Sequence, residues 1–137
     1  MKVLFLTKYE NLAASSRLRA YQYKNKMDSS KFEVDVKPLL STFYLERKWR
    51  DKYISFFYLG FLFFKRVFNL FNIQKYNVIV IHFELFPFLP PIFEWFLFKT
   101  NKKIYFDYDD AIYHNYDLSG NLLARLSYLV KKSIFIN

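Results

Sequence analysis

The stretch NVIVIH, Asn77–His82, decides the fold. Four β-branched residues, Val78 to Ile81, follow one another without a polar interruption. A strand with one wet face alternates apolar and polar side chains, whereas a strand covered on both faces is apolar at every position. Covering both faces takes helices, and helices reach both faces through crossovers between parallel strands. Four further β-type runs flank this one: KVLFLT (Lys2–Thr7), FEVDVK (Phe32–Lys37), KIYFD (Lys103–Asp107) and SIFI (Ser133–Ile136).

Helical stretches fill the gaps. Ser15–Met27 opens on serines suited to an N-cap. Thr42–Phe71 is long and aromatic, and Pro91–Lys99 follows the proline turn PFLPP. Leu118–Lys132 places Leu122, Leu126 and Leu129 on one side, with Lys131 and Lys132 against the negative end of the helix dipole. The alternation predicts one α/β domain over residues 1–137: a Rossmann-like, five-stranded parallel sheet with helices on both faces and right-handed crossovers. The expected strand order is 3-2-1-4-5, with the chain reversing between strands one and four. Ligands of such sheets bind at the strands' carboxyl ends beside that reversal. There is no internal repeat, linker or low-complexity tract.

Composition narrows the function classes. The chain has 137 residues, enough for a real core, with 18 Phe and 12 Tyr against 2 Gly. The absence of cysteine excludes disulfides and thiolate metal sites. The opening MKVLFLTKY is too short for a signal-peptide core and fits a first strand instead. The net charge of +9 sits entirely in residues 1–75, which hold 15 Lys and Arg against 6 Asp and Glu. Such asymmetry fits a solvated surface or an anionic partner. Nucleic acid is set aside, because the aromatics lie in long apolar runs and no recognition motif is present.

Residues 53–71, YISFFYLGFLFFKRVFNLF, hold an apolar run of 11 residues, Ile54 to Phe64, before Lys65 and Arg66. A membrane span needs about 20. Aromatics beside Arg47, Lys48, Arg50, Lys52, Lys65 and Arg66 suit either a helix lying on an anionic bilayer or one packed on the sheet.

Polar residues gather at the expected carboxyl ends of the strands. The first loop, TKYENLAASSRLRAYQ, has no glycine fingerprint, yet Ser15 and Ser16 start a helix, and Arg17 and Arg19 can bind a phosphate. His82 and Glu84 end the third strand, on one side of an extended chain. After the fourth strand, DYDD places Asp107, Asp109 and Asp110 within four positions, with His114 beyond. Such carboxylates can hold a divalent ion, act as a general base, bind hydroxyls or cap a turn.

Together, LAASSRLRAYQY, VIVIHFELFPFLPPIFEW and KKIYFDYDDAIYH resemble the N-terminal, acceptor-side domain of family-four bacterial glycosyltransferases, one half of a GT-B fold. The likeness spans nearly the whole chain. It implies retaining transfer of a sugar from a nucleotide-diphosphate donor to a glycan or lipid-linked acceptor, as in polysaccharide biosynthesis, with no metal and no cofactor beyond the donor substrate. It implies catalytic roles for Asp109 and Asp110. Substrate contacts fall to Ser15, Ser16, Arg17, Arg19, His82, Glu84, Asp107 and His114. It also implies a cytoplasmic protein held peripherally on the inner face of the plasma membrane. The usual Gly-Gly of the first loop is missing. The donor-binding domain of the family does not occur in these 137 residues, so the chain alone is expected to transfer little. The alternative expectation is a non-catalytic module that docks on a membrane surface.

Overall fold

The computed structural model describes residues 1–87, 89 and 91–107. Strand β1 (Lys2–Tyr9) leads into a helix over residues 14–26, α1, whose middle turn, Arg17–Tyr21, is π-helical. Then come β2 (Glu33–Leu40), α2 (Thr42–Trp49), α3 (Phe56–Phe71), a 3-10 turn at Ile73–Lys75 and β3 (Val78–His82). Helix α4 (Ile92–Phe98) and β4 (Lys103–Asp107) complete the described elements. The single helix expected over Thr42–Phe71 is two. Ser41 caps α2 by accepting from the Tyr44 amide at 3.2 Å, and Asp51 turns the chain at φ 50 before α3 begins.

The sheet is parallel throughout, with order β2-β1-β3-β4. The α/β class, the parallel pairing and the helices on both faces agree with the sequence; the order 3-2-1-4-5 does not. In that order β2 would lie between β1 and β3. Here β3 pairs with β1, Val3 opposite Val78 and Leu6 opposite Ile81. The reason is in β2 itself. Glu33, Asp35 and Lys37 alternate with Val34 and Val36, and Pro38 has no N–H to donate to a ladder, so β2 suits an edge. β1, buried from Val3 to Thr7, takes the centre. Asn77 pins the start of β3: its side-chain oxygen accepts from the Lys2 amide at 2.7 Å, and its own amide donates to the Lys2 carbonyl at 2.8 Å. The expected fifth strand, Ser133–Ile136, and helix Leu118–Lys132 lie outside the described residues.

The two faces carry separate cores, as the period of two requires. Leu4, Leu6, Ile79 and Ile81 pack with Leu70 and Ile73, with Leu85 and Phe86, and with Leu97 of α4. Val3, Phe5, Val34, Val78 and Val80 pack with Ala20 of α1 and with Met27. Leu6 is 0 % exposed, so Leu6→Ala should cost about 3 kcal/mol of unfolding free energy. Phe57, 88 % exposed, should tolerate alanine within about 0.5 kcal/mol. Urea denaturation of the two variants checks the contrast.

Candidate functional site

The alternation of side chains sets the site. Val3 and Phe5 face α1, so Thr7 does too; Val78 and Val80 place His82 on the same side. His82 is paired with Asp107, which brings three polar residues into one row at the carboxyl ends of β1, β3 and β4. From α1, Arg19 reaches this row and binds Asp107, Nη1 to Oδ1, at 3.0 Å. Both partners are half-buried, so the bond is worth about 1 kcal/mol or less. His82 is buried, its ring 4.0 Å from that of Phe83. Ser16, also on α1, is fully buried, and its hydroxyl has no hydrogen-bond partner among the described residues.

The opposite face closes on the same edge. Arg66 of α3 lies in the inward stripe with Leu62 and Leu70, and its Nη2 donates to the carbonyl oxygen of Thr7. Only 1 % of Arg66 is exposed, and burial pushes its guanidinium down to about 9, so it keeps its charge at neutral pH. Lys8 places its ammonium 5.6 Å from the Tyr9 ring centroid and 5.9 Å from that of Phe83, bridging the loops that leave β1 and β3. Burial, and for Tyr21 also the carboxylate of Glu10, raises the Tyr9 and Tyr21 phenols above their ordinary value, so both remain neutral donors. Phe83 sits at φ 69, a left-handed conformation costing a bulky residue about 1–2 kcal/mol. Its amide donates to the Asp107 carbonyl at 3.0 Å, which holds the strained turn against β4.

Of the expected substrate contacts, Ser16, Arg19, His82 and Asp107 meet at this edge. Glu84 is buried just beyond β3, Ser15 is half-buried on α1, and Arg17 faces solvent. Asp109, Asp110 and His114 lie outside the described residues. Arg66, which the sequence left either beside a bilayer or on a helix packed against the sheet, is buried under the sheet edge. Its position four residues from both Leu62 and Leu70 was the available signal. Buried Thr7 and Glu94 were not anticipated. Among the described residues no group of three or more His, Asp or Glu forms a metal-ligand cluster.

A double-mutant cycle on Arg19→Ala and Asp107→Asn, read by urea unfolding, should give a coupling energy of about 1 kcal/mol or less. A value of several kcal/mol would mean that the pair fastens the fold and is not held for a ligand. No protein-family model, curated protein or solved structure matches the chain, so the site's own geometry carries the functional reading.

Proposed function

We propose that the chain is the acceptor-side lobe of a retaining, sugar-nucleotide-dependent glycosyltransferase with GT-B architecture. One observation carries this reading. Arg19 from α1 and Asp107 from β4 meet on one face of a parallel sheet, at its carboxyl edge, beside His82. In open parallel sheets, ligands bind at that edge. The pair offers a carboxylate that accepts bonds from sugar hydroxyls, fixed in place by a guanidinium. Exposed Arg17, on the same helix, suits the phosphates of a nucleotide-diphosphate donor. Asp109 and Asp110, next in sequence after this edge, are the proposed catalytic carboxylates.

The test is a transfer assay on the protein in its natural reading frame, with labelled nucleotide-diphosphate sugars and a lipid extract as acceptor. Wild-type protein should transfer label, and Asp107→Asn should lower kcat/KM about tenfold or more, the loss of one charge-assisted hydrogen bond. Transfer from none of the donors, or full activity in Asp107→Asn, would overturn the reading.

A second observation supports a membrane partner. Phe56, Phe57, Phe61, Phe64, Phe68 and Phe71 of α3 are exposed, as are Ile92, Trp95 and Phe96 of α4. Lys65 lies among these rings and Lys99 stacks on Trp95 at 3.7 Å. No helix of the described residues is long and apolar enough to cross a bilayer. An apolar face edged by cations suits lying on an anionic bilayer, where lipid-linked acceptors reside. Co-sedimentation should show stronger binding to vesicles with anionic lipid than to neutral ones. The double variant Phe57→Ser, Phe61→Ser should weaken binding at least tenfold, given about 1.5 kcal/mol or more per buried ring.

A further inference from the structure

The chain reverses direction across the sheet between β1 and β3: β2 lies to one side of β1, and β3 and β4 lie to the other. The loops leaving β1 and β3 therefore run to helices on opposite faces, and open parallel sheets bind their ligands in the crevice at such a point. Arg66 is fixed there by its bond to the Thr7 carbonyl. That bond uses one of the guanidinium's five N–H groups. Nε and Nη1, which carry three more, have no hydrogen-bond partner among the described residues. A buried cation left with unmade bonds is costly and calls for an explanation, of which a bound anion is one.

From this geometry we infer that the crevice between the ends of β1 and β3 receives an oxyanion, a phosphate or carboxylate group of a ligand, with Arg66 as its counter-charge. The site lies at the carboxyl ends of β1 and β3, reached from the α3 side. It stands on Arg66 and does not depend on sugar transfer. Because the guanidinium is enclosed, entry requires the strand-end loops to part by the width of the anion. Phe83, at φ 69, is the strained residue where the loop after β3 begins.

The test uses the whole chain with inorganic phosphate, pyrophosphate and acetate as separate probes. Thermal unfolding and the Nε–H resonance of Arg66 are the readouts. The bound anion should raise the wild-type Tm and shift that resonance. Phosphate or pyrophosphate acting alone assigns a phosphoryl ligand, and acetate acting alone a carboxylate. Arg66→Met removes the enclosed charge while nearly keeping its volume. It should melt at or above the wild-type Tm without anion and bind the effective probe at least tenfold more weakly. Arg66→Lys should keep part of the response. The inference fails if none of the three probes at millimolar concentration moves the Arg66 resonance. It also fails if Arg66→Met melts lower, or does not fold, while wild type shows no anion response at Arg66, since the guanidinium would then only fasten helix to strand.

Discussion

The structure depends on β1 having a parallel neighbour on each side. Five consecutive residues, Val3 to Thr7, are buried, so this strand must lie at the centre of the sheet. Its neighbours are then chosen by what they can leave exposed. β2, with alternating charges and a proline, takes one flank as an edge, and the β-branched β3 takes the other. Once β1 and β3 are adjacent, the loops that follow them diverge, and the polar residues at their ends have a crevice to face. A central β2 would have left its charged residues between two strands and moved the crevice elsewhere.

Much of this was legible in the chain. The unbroken apolar run of β3 specifies a strand covered on both faces, and the helical stretches between strands specify parallel pairing. The convergence of Ser16, Arg19, His82 and Asp107 also follows, because every parallel strand ends at the same edge of the sheet. The strand order was legible but was read against the wrong template: Pro38 and the alternation in β2 already argued for an edge. Arg66 was harder. A basic residue beside Lys65 in an aromatic helix looks like rim, and only its four-residue spacing from Leu62 and Leu70 hints that it points inward.

Helix α3 shows why composition alone misleads. At 3.6 residues per turn its seven phenylalanines fall within a single arc of about 160°, and the sheet covers a stripe that lies mostly outside that arc. That stripe goes to Leu62, Leu70 and the half-buried Phe63 and Val67, while six rings remain outside. The most aromatic side of the helix is therefore not the one that turns inward; the aliphatic stripe of Leu62, Val67 and Leu70 packs on the sheet instead. Phe63 tilts against Phe86 at 5.6 Å and Phe86 against Phe93 at 4.6 Å, so an aromatic chain joins α3, the loop after β3 and α4.

That chain bears on the strand-end crevice. Leu85 and Phe86, two and three residues past strained Phe83, are anchored in the α3-side core, while the Phe83 amide is tied to β4. The loop after β3 is thus held at both ends, and the strain rests on one residue between them. Phe86 packs on Phe63 of α3, the helix that carries Arg66, and the Phe83 amide bonds the carbonyl of Asp107, the partner of Arg19. The loop after β3 therefore joins the helix that bears the cation on one face of the sheet to the residue that holds the ion pair on the other.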